Sequence, residues 1–166
     1  MSGIATQDAD RLARVVLGGE ALTRLDPWQE GDRAQAVADL AAENRFRLLG
    51  ARAARGRGPF VLHLAIQDGR LVFDVRDQAD APLTALVLAL GPFRRLVKDY
   101  QMLVESHAKA VEEGREERIQ AIDMGRRGLH DEGAVLMRER LAGKAEIDFA
   151  TARRLFTLVC VLHQRA

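Results

Sequence analysis

The chain has 166 residues, enough to bury a core in one domain and too few for two full catalytic lobes. With 48% apolar and 30% charged residues it reads as a folded protein, which excludes a wholly disordered chain. Its 25 basic and 24 acidic side chains leave a net charge of +1, so no global field draws it to DNA or a membrane, and any anion site must be local.

The basic residues are 22 Arg and 3 Lys. Arginine favours forked contacts to carboxylate or phosphate, although a GC-rich coding bias produces the same ratio. The single cysteine, Cys160, allows no intrachain disulfide, and its neighbours Leu158, Val159, Val161 and Leu162 predict burial. A cytoplasmic setting is the default expectation. Neither a charged leader with a long apolar run nor a membrane-length apolar stretch occurs, so secretion and membrane spanning are not expected.

In chain order, the segment from Asp10 to Leu17 fits a helix and an alternating strand equally, and Gly18-Gly19 ends it either way. Asp26, Pro27 and Gln29 supply an N-cap, an N1 proline and a capping-box partner for a helix to about Asn44, with Val37, Leu40 and Ala41 as its inner stripe. Residues 44–59 then hold five arginines (Arg45, Arg47, Arg52, Arg55, Arg57) and no acid, which reads as a strand end and a flexible basic loop from Ala51 to Pro59, either simply solvated or holding an RNA backbone nonspecifically. Phe60 to Gln67 alternates, Asp68-Gly69 provides a type I′ turn, and Arg70 to Arg76 alternates back. The turn sets the register, placing Ile66 opposite Leu71, Leu64 opposite Phe73, Leu62 opposite Val75 and His63 opposite Asp74. Leu83 to Leu90 is apolar on both faces apart from Thr84, which suits an inner strand covered on two sides.

From Gly91 the pattern turns helical. Phe93, Leu96, Val97, Tyr100, Leu103, Val104, His107 and Val111 form one stripe ending near Gly114. Ile122, Leu129 and Leu136 mark a second helix in which Gly125 and Gly133 permit close approach of a neighbour. Its three interior glycines, each about 1 kcal/mol worse than alanine, leave a break near residues 125–130 as the alternative. Asp148 caps a last helix from about Phe149 to His163 with little polar surface, the expected central core helix.

The stretches Gly91 to Tyr100 (GPFRRLVKDY), Ile119 to His130 (IQAIDMGRRGLH) and Thr151 to His163 (TARRLFTLVCVLH) together resemble the uncharacterised protein family 0262 of alphaproteobacteria, over roughly residues 60–165. The resemblance implies a compact bacterial cytoplasmic protein. The family has no established activity, so it implies no catalytic residue.

Arg94, Arg95 and Lys98 occupy the first turns of a helix, where the macrodipole disfavours cations by about 0.3–1 kcal/mol each. Either an anion held by these side chains and free N–H groups offsets this, or internal pairing with Asp99, Glu105 or another helix does. Arg126-Arg127 and Arg153-Arg154 are further pairs that can converge on the same place, with Asp123 and Asp131 as internal alternatives. Gly125 to Gly128 offers a phosphate-embracing turn or simple close packing. Gly143-Lys144 is no P-loop, because Glu139 stands where a glycine is required and Ala145 replaces the Ser or Thr.

The four histidines form no metal constellation, and no cofactor is expected. His63 is expected to pair with Asp74, His107 to sit in the core, and His163 to favour charge at a helix C-terminus. His130, beside Asp131 and Glu132, is the one acid/base candidate. There is no nucleophile elbow and no dinucleotide fingerprint.

The reading is therefore one α+β domain over residues 1–166: a small, mainly antiparallel sheet packed against three C-terminal helices. Its expected role is a non-catalytic binding or regulatory module that engages RNA or an acidic protein surface through Arg94, Arg95, Lys98, Arg126, Arg127, Arg153 and Arg154. Two alternatives stand beside it: a small enzyme on a phosphorylated metabolite with His130 as acid/base, and a homodimeric interaction protein.

Overall fold

A computed structural model describes residues 9–18 and 25–163. The order is β1 (Leu12–Leu17), α1 (Pro27–Ala42), β2 (Phe46–Leu48), a 3-10 turn (Gly50–Arg55), β3 (Phe60–Gln67), β4 (Arg70–Arg76), β5 (Pro82–Ala89), α2 (Arg94–Glu112), α3 (Glu116–Leu141), β6 (Ala145–Ile147) and α4 (Phe149–Leu162). This is an α+β protein whose main sheet runs β1-β3-β4-β5, with β1 parallel to β3 and the other pairs antiparallel. The two-stranded β2-β6 sheet, absent from the sequence reading, joins distant parts of the chain by three antiparallel pairs, Phe46 with Ile147, Arg47 with Glu146 and Leu48 with Ala145.

The β3–β4 hairpin follows from its turn. Asp68 (φ 52°) and Gly69 (φ 72°) both adopt the positive φ of a type I′ turn, and every pair expected from it is formed. Leu62, Leu64, Leu71, Phe73 and Val75 are fully buried on the inner face. The segment at Leu12 resolves to a strand because it pairs beside β3, with α1 in the crossover that a parallel pair requires. Gly18 continues the ladder by donating to Leu64 O at 2.9 Å; Gly19 lies outside the described residues.

Three expectations change. Among the described residues β5 is an edge strand, bonded to β4 alone; Leu86 and Leu88 are buried, while Ala85, Val87 and Ala89 face outward. An apolar run built of alanine and valine tolerates that exposure, so periodicity alone did not report coverage. The buried stripe of α1 is Gln29, Asp32, Ala36 and Leu40, whereas Val37 is half-buried and Ala41 exposed. The basic loop begins as an ordered 3-10 turn over Gly50–Arg55.

Both helix starts with side-chain caps formed as read: Asp26 accepts from Trp28 N and exchanges with Gln29, and Asp148 accepts from Thr151 N at 2.9 Å. The α2 stripe ends before Val111, which is exposed. α3 runs unbroken through its three glycines. Consequently the Gly125 to Gly128 stretch is mid-helix, its N–H groups belong to the helix ladder, and it is not an anion-binding turn. α4 is the central core helix, buried over every residue from Leu155 to Leu162. Burial of each such Leu, Val or Phe side chain contributes roughly 1.5–3 kcal/mol, which makes α4 the element on which the others assemble.

Gly133 is where α3 and α4 meet: a Cβ there would lie 2.3 Å from the Phe156 ring, whereas one at Gly128 would meet nothing within 4 Å. Gly133→Ala should therefore destabilise by about 1–3 kcal/mol through overpacking. Gly128→Ala should stabilise by up to about 1 kcal/mol through helix propensity. Urea denaturation of both variants checks this, and equal midpoints would contradict the packing described.

Candidate functional site

α1, α3 and α4 enclose a cleft of about 180 Å³. Helical spacing explains its lining. Asp32, Ala36 and Asp39 are one stripe of α1, Arg126 and His130 are four apart on α3, and Arg153 and Thr157 are four apart on α4. Arg127 and Arg154 complete the basic wall. Four of the seven predicted arginine and lysine positions thus come together here.

Each of the four already has an acid. Arg126 bonds Asp32 and, at 2.5 Å, Asp123; Arg127 lies 3.2 Å from Asp123. Arg153 bonds Asp131 at 2.9 Å, and Arg154 lies 3.8 Å from Asp39 while donating to Glu43 O at 3.1 Å. The pairs differ in tightness. Arg126 is only 22% exposed and locked, whereas Arg127 is 67% exposed and the Arg154 contact is at the limit of an ion pair.

The other three predicted positions do not line the cleft. Arg95 bridges to Glu132 at 2.6 Å and Asp99 at 3.3 Å, which offsets the unfavourable helix-start position internally. Arg94 and Lys98 are exposed, with no ion-pair partner among the described residues. Arg94 lies close enough to His163 to reinforce the effect of burial in lowering its pKa. His163 therefore does not favour charge as its helix-end position predicted. His63 faces Asp74 across the ladder, but its Nε2 pairs with Asp80 Oδ1 at 2.9 Å because Asp74 is held by Arg76 at 2.8 Å. The turn carrying Asp80 (φ 67°) folds back over β3, an approach invisible in strand register.

His130 is buried at 3% exposure, and burial, with Arg153 and Arg126 nearby, pulls its pKa down to about 3. Its Nδ1 lies 3.4 Å from Thr157 Oγ1, whose own proton goes to Arg153 O at 3.0 Å. The ring is accordingly neutral with hydrogen on Nδ1, leaving Nε2 as an acceptor without a partner. Cys160 is fully buried, which raises its thiol pKa and keeps it unreactive. No group of three or more metal-ligating side chains occurs among the described residues.

Sequence reasoning missed the floor beneath this cleft. Asp32, 7% exposed, accepts from Tyr100 Oη at 2.8 Å and from Arg126. Burial raises the Asp32 pKa in spite of Arg126, and burial together with Asp32 raises that of Tyr100. Arg126 also lies over the Trp28 ring, 5.2 Å from its centroid, and Trp28 stacks on His107 at 4.1 Å. His107 is thus a half-buried stacking partner rather than a core side chain. The one available signal was the placement of Asp32 four residues before Ala36 and eight before Leu40 on a single helical face.

A four-stranded sheet faced by a buried helix, with an arginine- and aspartate-lined cleft among its helices, defines the class: an α+β protein with a preformed polar cleft. The model of the Uncharacterised protein family (UPF0262) matches residues 9–165, and the chain belongs to that family. A UPF0262 protein of Granulibacter bethesdensis is 69% identical over 159 residues, covering 93% of this chain and 90% of that protein. One of Acidiphilium cryptum is 60% identical over 169 residues and all of both chains, and one of Maricaulis maris is 50% identical over 161 residues, 97% of this chain and 98% of that protein. No solved structure matches. No helix among the described residues is long and apolar enough to cross a membrane.

The His130 shift has a pH consequence. A base whose folded pKa is depressed holds its full contribution above its unfolded value of about 6.5 and loses it as pH falls toward the folded value. Wild-type stability should therefore fall below about pH 6.5 more steeply than that of His130→Gln, measured by urea denaturation across pH 7 to 4. Parallel acid limbs for the two proteins would refute the buried neutral imidazole.

Proposed function

We propose that the chain is a non-catalytic, cytoplasmic binding module whose α1–α3–α4 cleft takes a phosphate-sized anionic group presented by a small ligand or a partner. The convergence of Arg126, Arg127, Arg153 and Arg154 from two helices on one cleft carries the reading. Arg127 and Arg154 are the clamps, since their present carboxylate contacts are exposed or long and an incoming phosphate offers each a shorter, charge-assisted bond. Arg126 and Arg153 are positioned by Asp32 and Asp131 and set the shape of the pocket. The volume of about 180 Å³ suits one such group and not a nucleic-acid strand.

Binding is favoured over catalysis by the state of His130. An imidazole with a pKa near 3 carries no proton to donate at neutral pH and is a weak base.

Phosphate and pyrophosphate should raise the thermal midpoint of the wild-type protein, by an amount corresponding to about 2.7 kcal/mol at a hundredfold excess over Kd. The R127Q/R154Q double variant should bind at least tenfold more weakly, since each lost charge-assisted bond is worth about 1.5–3 kcal/mol. A wild-type midpoint unmoved by phosphate, pyrophosphate and citrate would remove the reading.

A further inference from the structure

A second arginine surface shares no lining residue with the cleft. Between β2, the 3-10 turn and the start of β3 lies a groove of about 430 Å³, floored by Leu48 and Phe60 and walled by Arg47 and Arg57. The local structure aims charge around it. Phe46 and Leu48 are buried, so Arg47 between them faces out. Arg52 and Arg55, three apart in the 3-10 turn, share a side of it that stands outside the groove's lining, which the turn enters through Ala53 and Ala54. Arg11 stands beside the groove because its carbonyl accepts from Phe60 N at 2.9 Å.

The main chain is closely packed here: a Cβ at Gly58 would sit 1.8 Å from the Ala9 carbonyl oxygen, and one at Gly56 would sit 2.6 Å from the Leu83 side chain. That approach fixes the course of the backbone from which Arg57 projects.

Unlike those of the cleft, these five guanidiniums are uncommitted: Arg11, Arg47, Arg52, Arg55 and Arg57 have no ion pair among the described residues. Two acids are near. Asp10 lines the groove, and Glu146, opposite Arg47 across the β2–β6 pair, is taken by Arg45 at 3.3 Å. Of the five arginines, Arg47 and Arg57 line the groove with Asp10 and the other three stand outside its lining, a local excess of positive charge that the net charge of +1 conceals.

We propose that this groove and its arginine rim bind single-stranded nucleic acid through the phosphodiester backbone, without reading bases. Phe60 is 3% exposed and offers no stacking platform, so contact is with phosphates. A concave groove without an apolar anchor at its rim does not fit a flat membrane surface. An acidic polypeptide would have to immobilise long carboxylate side chains one by one, whereas a nucleic-acid strand carries its charges on the backbone and loses less entropy per contact.

Fluorescence anisotropy with a labelled oligouridylate of about a dozen nucleotides tests this, because that length spans the site of a single small binding domain. The wild-type protein should bind at about 50 mM salt and weaken steeply by about 200 mM. The R52Q/R55Q/R57Q variant, altered only at a surface turn and expected to melt like wild type, should bind at least tenfold more weakly. Its log Kd against log salt slope should be shallower by about 2, at roughly 0.7 per lost contact. R127Q/R154Q should bind RNA as wild type does, which separates this groove from the cleft. Three outcomes overturn the proposal: no wild-type binding, equal affinity of the triple variant, or equal displacement of the RNA by polyglutamate of matched charge, which assigns the groove to an acidic protein.

Discussion

Asp32 is the constraint around which the helical half is arranged. A carboxylate this deep costs several kcal/mol to desolvate unless its oxygens are satisfied, and here one accepts from Tyr100 of α2 and the other from Arg126 of α3. One side chain of α1 thereby ties three helices at a fixed spacing. Arg126 in turn lies over Trp28 and pairs with Asp123, so aromatic and ionic contacts hold the same guanidinium. Loss of Arg126 would leave the Asp32 charge buried without its counter-ion, which makes this pair the critical one.

The cleft is what remains above this tie. Its floor is made of committed groups, Asp32, Arg126 and the neutral His130 with Thr157, and its rim of loosely held ones, Arg127 and Arg154. A rigid floor with adjustable rim charges is an arrangement for receiving an anion without large reorganisation. The groove beside β2 differs in kind, because its guanidiniums make no ion pair among the described residues and Gly58 admits a close backbone contact at its edge. Two arginine-rich places in one nearly neutral chain therefore differ in how much of their charge the fold itself consumes.

How much of this could be read in advance depended on the range of the interaction. The hairpin register, the capping box at Asp26 and the cap at Asp148 were legible because each is decided within a few residues by turn or cap geometry. The β2–β6 pair, the edge position of β5 and the diversion of His63 to Asp80 were not, since each depends on a segment that arrives from elsewhere in the chain. Half of the site was visible in the doubled arginines at 126–127 and 153–154. Its floor was hidden because an aspartate on an otherwise apolar helical stripe reads as solvent-facing until a tyrosine and an arginine are known to meet it.

The amino-acid order alone determined the class of fold, the location of the helix starts, the hairpin and the burial of Cys160, because these follow from period, capping and local apolarity. Which arginines would be spent on internal carboxylates and which left free was decided only by tertiary packing. Coulomb pairing acts over a few ångströms of space, and the 94 positions between Asp32 and Arg126 carry no trace of that proximity.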